Sequence, residues 1–174
     1  MDALSAEITK IALNCFLTCK ISYANMIGDL ARKVGADESK ILSAVGADSR
    51  IGNKFFSYGY GYGGPCFPRD TRAYLRYSNL NGMNPIMVDA AQNYNETHFG
   101  YYVEDFILKH PIDKPITIDG VCYKKGVDII ESSQQLDFAV ELSNRGYDVT
   151  IRDYPSVITQ VEAMYPGKFK YEYY

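Results

Sequence analysis

Over residues 3–34 the apolar side chains recur with the period of an α-helix. Leu4, Ile8, Ile11, Cys15, Cys19, Met26, Leu30 and Val34 keep largely to 3.6-residue spacing, and Gly35 supplies a C-terminal stop. About 30 residues at 1.5 Å each make a rod roughly 45 Å long. That is long for a chain of 174 residues, so part of the apolar stripe is expected to pack on a second subunit. Cys15 and Cys19 fall on this stripe and read as core residues.

The period stays helical for about a hundred residues and then changes. Asp37 can cap a second helix that runs to about Val45, and residues 46–65 read as loop around the aromatic pair Phe55-Phe56. A third helix covers about 68–79 and is broken by Asn81-Gly82. Pro85 suits the first turn of a fourth, which runs to about Lys109 and is ended by Pro111. Residues 115–121 then read as a buried strand with Cys122 at its end. A helix over 133–144 is closed by Arg145-Gly146. Strand 148–152, helix 156–164 and strand 169–173 follow. Strand, helix, strand, helix, strand is the pattern of a parallel α/β unit. The expected division is therefore a mainly helical domain over residues 1–112 and a small α/β domain over 113–174. No strand precedes the first helix, so Met1 is expected to open a piece of a longer protein.

Composition removes several function classes. Hydrophobic residues make up 47% of the chain, enough for a proper core. A net charge of -3 with no Lys/Arg run argues against nucleic acid, and no apolar stretch is long enough to span a membrane. The four cysteines form no Cys-x-x-Cys pair and no ligand pattern with His98 and His110. No metal is expected, and a reducing, cytoplasmic setting is. Neither histidine shows a partner in the sequence, so each reads as a surface or structural residue.

The chemistry gathers in Gly59-Tyr60-Gly61-Tyr62-Gly63-Gly64-Pro65-Cys66-Phe67-Pro68-Arg69-Asp70. Glycines without a Cβ let the backbone turn tightly and approach a ligand. Cys66 arrives at the start of a helix, where unpaired amides and the dipole favour a thiolate. Asp70 follows one turn later, a layout suited to a nucleophile with an acid/base helper. The glycine run follows no clear strand, so it is not a dinucleotide fingerprint. Lys10 and Asn14 share a face of the first helix; alone they read as a solvated pair, and Arg50 alone as a surface arginine.

Together these residues resemble the nucleotide-sugar 6-dehydrogenases of the UDP-glucose/GDP-mannose dehydrogenase family. The likeness is carried by Glu7-Ile8-Thr9-Lys10 with Asn14, by Ser49-Arg50-Ile51-Gly52, and by Gly63-Gly64-Pro65-Cys66-Phe67-Pro68-Arg69-Asp70. It implies a helical dimerisation domain followed by part of a Rossmann-like α/β domain. It also implies two NAD-dependent oxidations at C6 of a nucleotide sugar, UDP-glucose to UDP-glucuronate. GDP-mannose and a UDP-N-acetylhexosamine are the alternative substrates, and a non-catalytic truncated dimerisation paralogue is the alternative function. By this resemblance Cys66 traps the aldehyde as a thiohemiacetal and then forms a thioester. Lys10 stabilises oxyanions, Asn14 helps hold that oxygen or water, and Asp70 assists acid/base steps. Arg50 would reach a partner subunit's nucleotide sugar. The 55–64 loop, with Phe55, Tyr58 and Gly63, would line the sugar nucleotide, and Lys124 would lie near it. The family's arginine before Glu131-Ser132 is Ile130 here. NAD would be bound mainly by an N-terminal domain outside this chain, so the chain alone is expected to be inactive but to form a homodimer through its long N-terminal helix.

Overall fold

Helix α1 spans Ala3–Lys33 and is closed at both ends by its own sequence. The Asp2 carboxylate accepts from the Ser5 amide at 2.9 Å, which satisfies an otherwise unpaired first-turn donor. At the far end Gly35 takes φ +75°, and the Ala36 amide reaches back to the Ala31 carbonyl at 2.8 Å, the left-handed stop that favours glycine. The computed structural model describes residues 1–174. Helices α2 (Glu38–Gly46), α3 (Phe67–Leu80) and α4 (Ile86–Lys109) follow, then β1 (Ile116–Asp119), α5 (Gln134–Asn144), β2 (Val149–Asp153), α6 (Pro155–Met164) and β3 (Lys170–Tyr173). The architecture is mainly helical first and α/β second.

By internal contacts the chain forms two compact units, Met1–Tyr62 with Cys66–Tyr101, and Gly63–Pro65 with Tyr102–Tyr174. The division falls inside α4, earlier than the boundary near residue 112 read from the sequence. Aromatic packing accounts for this: Tyr102 and Phe106 meet the Phe138 ring edge-on, with centroids 5.4 and 5.1 Å away. His110, which showed no partner in the sequence, stacks on Phe106 at 3.8 Å and donates to the Phe106 carbonyl.

In the first unit α1 packs against α2 and α3. Its buried side chains are Cys15, Thr18, Ser22, Ala24, Asn25, Gly28 and Ala31. The large apolar residues of the expected stripe are not the intrachain core: Leu4, Ile8, Met26, Leu30 and Val34 are exposed, as are Leu13 and Phe16. Cys15 is buried and Cys19 half-buried. Small residues form the inner face because neighbours approach closely. A Cβ at Gly28 would overlap the Tyr58 ring. Ala24, Leu42 and Phe56 form a buried cluster with Ile27 and Tyr58 against it.

In the second unit three parallel strands lie in the order β1-β2-β3. The central strand alternates strictly, with Val149, Ile151 and Asp153 buried. Phe138, Leu142, Val157, Ile158 and Val161 complete the core. Cys122 does not end a strand: β1 stops at Asp119, Gly120 turns the chain at φ +82°, and Cys122 sits half-buried in the following coil.

Candidate active site

Cys66 is the N-cap of α3, the residue just before its first turn. Its carbonyl accepts the first helical bond, from the Asp70 amide at 2.8 Å. The thiol is exposed and makes no capping bond. Pro68 in the first turn costs no hydrogen bond, because that amide has no helical partner there.

Asp70 is buried at the start of α3. Lys10 and Asn14, one turn apart on α1, converge on its carboxylate. The Lys10 ammonium pairs with Oδ2, and Asn14 Nδ2 donates to the same oxygen at 2.6 Å. Arg69 Nε donates to Oδ1 at 3.2 Å. Burial pushes the Asp70 carboxyl up, but the hydrogen bonds from Lys10, Asn14 and Arg69 outweigh it and hold it below its ordinary value. The helix pair thus sets an ionised acid, an ammonium and a carboxamide beside the turn that begins with the thiol. Such a group can orient a water and neutralise developing negative charge. The other thiols are poorer nucleophiles: burial pushes Cys15 and Cys122 up to about 11, and Cys19 upward as well.

The remaining expected residues fall elsewhere. Arg50 is exposed and bonds to Asp48, with Nη2 to Oδ2 at 2.6 Å. Phe55 is exposed at φ +59° and meets Phe67 edge-on at 6.3 Å. Tyr58 faces inward, donating to Asp29 Oδ1 at 2.9 Å beneath the Arg32 guanidinium, 4.4 Å from its ring. Gly63 and Lys124 belong to the second unit. There the space of a Gly63 Cβ is taken by the Ser132 carbonyl, and that of Gly64 by the Tyr123 ring. The Gly64 amide donates to Ser132, itself at φ +50°. Lys124 is exposed in the coil before α5, and Ile130 is buried. No group of three or more His, Cys, Asp and Glu side chains is placed to hold a metal. The spaces at Gly63 and Gly64 are taken by protein groups, so these two glycines leave no room for a pyrophosphate. An apolar groove of about 260 Å³ between α1 and α3, lined by Leu4, Ile8, Tyr74 and Tyr77, includes none of the four candidate catalytic residues.

Several side chains that no sequence motif marks hold the loop. Lys20 Nζ donates to the carbonyls of Ile51, Gly52 and Lys54 at 2.9, 3.0 and 2.7 Å. His98, fully buried, bonds to Asp29 and to the Gly59 carbonyl. Asn25 and Asn95 bond the backbone of Gly59 and Tyr62. Asn95 and His98, three residues apart, share one face of α4.

The model of the UDP-glucose/GDP-mannose dehydrogenase family, central domain, matches residues 4–97. The chain therefore belongs to the UDP-glucose/GDP-mannose dehydrogenase family. It is 34% identical over 169 residues to the UDP-glucose 6-dehydrogenase TuaD of Bacillus subtilis, covering 96% of this chain and 36% of that protein. It is 34% identical over 145 residues to UDP-glucose 6-dehydrogenase AglM of Haloferax volcanii, covering 83% of this chain and 34% of the relative. A solved UDP-glucose dehydrogenase from Pyrobaculum islandicum superposes with a TM-score of 0.86 at 33% identity, covering 99% of this chain and 40% of that one. The chain spans about a third of the length of the curated relatives it matches.

Proposed function

We propose that this chain is the catalytic-cysteine and dimerisation portion, with part of the C-terminal sugar-nucleotide domain, of an NAD-dependent UDP-glucose 6-dehydrogenase. The observation that carries the reading is the convergence of Lys10 and Asn14 on Asp70, one turn after Cys66, in a chain of this family. The relatives named above supply the substrate class.

In this reading the Cys66 sulfur adds to the C6 aldehyde, and the oxygen that becomes negative is met by the Lys10 ammonium and the Asn14 carboxamide. NAD, held chiefly by another part of the enzyme, would supply the hydride acceptor for the two oxidations. Water positioned by Asp70 then attacks the thioester carbon, the carbon–sulfur bond breaks, and Cys66 leaves as the thiolate. In this reading exposed Phe55 contributes to the sugar-nucleotide site, and Arg50 serves the partner's site in a homodimer. The exposed apolar residues of α1 support that dimer. Free cysteines suit a cytoplasmic setting; no helix is long and apolar enough to cross a membrane. A second reading, a non-catalytic dimerisation subunit, draws on buried Ile130 at the position of the family's arginine.

The test is NAD reduction with UDP-glucose. The enzyme carrying this segment turns over and its Cys66→Ser variant stalls before release of the acid, whereas the chain alone gives no turnover. An unimpaired Cys66→Ser variant refutes the assignment of the thiol. Thermal shifts with UDP-glucose, UDP-N-acetylhexosamines and GDP-mannose decide the substrate.

A further inference from the structure

We propose that His98 is a positioning residue: an imidazolium buried against Asp29, it pins the first glycine of the loop that leads to Cys66. The ring is fully buried. Its Nδ1 lies 2.8 Å from Asp29 Oδ2, and its Nε2 lies 2.7 Å from the Gly59 carbonyl oxygen. A carboxylate and a carbonyl only accept, so each nitrogen carries a hydrogen and the ring is a cation. Asp29 is its counter-charge. The same carboxylate accepts from Tyr58 at 2.9 Å and Tyr94 at 2.7 Å. Burial, followed by donation to Asp29, pushes the Tyr94 phenol up, so it stays a donor. The groups facing this cluster include Asp29 and Arg32 from α1, the latter paired with Glu38 of α2, Tyr58 from the loop and Tyr94 from α4.

The pair acts on a backbone that has no ladder of its own. Residues 59–62 lie in neither helix nor strand, and glycine-rich chain is the most costly to order. Side chains take over that task. The Gly59 amide donates to Asn25 Oδ1 at 3.1 Å, so both polar groups of this one peptide residue are held, by α1 and by α4. Three residues on, Asn95 holds both polar groups of Tyr62, accepting from its amide at 2.8 Å and donating to its carbonyl at 3.1 Å. Asn95 and His98 share a face of α4, which therefore grips the segment at both ends. A buried ion pair is weak evidence for stability; the role assigned to this one is to fix the geometry of Gly59. This inference draws on the proposed function only for what the loop delivers.

Two measurements on the 174-residue protein test it, neither using activity. In a long-range proton–nitrogen spectrum of the wild type, both His98 ring nitrogens fall in the protonated range; one in the unprotonated range overturns the proposal. In His98→Gln, which can donate but carries no charge, the Gly59 and Tyr62 amides exchange at least about tenfold faster while those in β2 and α5 hold. Uniform acceleration, as from a merely structural pair, overturns it, as does an unchanged loop. If His98→Gln fails to fold, the wild-type spectrum still decides.

Discussion

Asn14 Nδ2 sits 2.6 Å from Asp70 Oδ2, the oxygen that also takes the Lys10 ammonium. One carboxylate oxygen thus joins two successive turns of α1 to the first turn of α3. Charge-assisted bonds of this kind are among the stronger side-chain contacts.

Asp70→Asn should cost about 1–3 kcal/mol at neutral pH, because it leaves donors aimed at a weaker partner. The pH dependence follows from the lowered carboxyl. The stabilisation is present above the ordinary value of 3.8 and is lost as pH falls through the depressed folded value. Urea unfolding should show wild type and variant drawing together below about pH 4. A gap that stays constant down to acid pH would contradict the ionised assignment.

Cys66 should alkylate before the other three thiols. It is exposed, whereas Cys15 is buried and Cys19 and Cys122 are half-buried. The Cys15 and Cys122 thiols are also pushed up to about 11, which starves them of thiolate at neutral pH. Peptide mass spectrometry after limiting iodoacetamide reads this order, and preferential labelling of Cys15 would count against it.

Gly28→Ala should destabilise by roughly 1–3 kcal/mol although alanine is the better helix former. The added methyl would occupy the Tyr58 ring's place. That ring has little freedom to retreat, with its hydroxyl on Asp29 and Arg32 over its face. Equilibrium unfolding in urea supplies the number, and a stabilised variant would show that Tyr58 moves freely.

Lys20→Met should loosen residues 51–54 without unfolding the helices. The ammonium holds three carbonyls there, while methionine keeps most of the apolar stem. Faster limited proteolysis confined to that segment is the expected result.

Sedimentation at tens of micromolar should find a dimer, and Phe16→Asp with Leu30→Asp should shift it to monomer. Both residues are exposed on α1, 65% and 59% respectively. A strictly monomeric wild type would refute the α1 dimer.

Helix and strand order was readable because punctuation and period agreed at most breaks: Asp37 caps α2 and Gly35 lies just past the end of α1, whereas Gly120, read as strand interior, ends β1 two residues early. Lys10, Asn14 and Asp70 could be grouped because a family pattern joined residues distant in sequence. The buried face of α1 could not be read the same way. Hydrophobicity points to Leu4, Leu30 and Val34, but closeness of approach selects Ala24, Gly28 and Ala31. His98 was illegible for a related reason. Its partners, Asp29 and Gly59, are 69 and 39 residues away, and no local spacing encodes them.

Gly63–Pro65 belongs with Tyr102–Tyr174, while the residues on either side of it belong with the first unit. The second unit is therefore discontinuous in sequence, and the peptide enters it, leaves and re-enters. A single cut in α4 cannot separate the two parts intact: it would strip the Gly64 amide of its acceptor at Ser132. Gene dissection, domain exchange between relatives, or circular permutation must carry this tripeptide with the α/β half. The glycine run thus passes from one compact unit into the other on its way to the thiol.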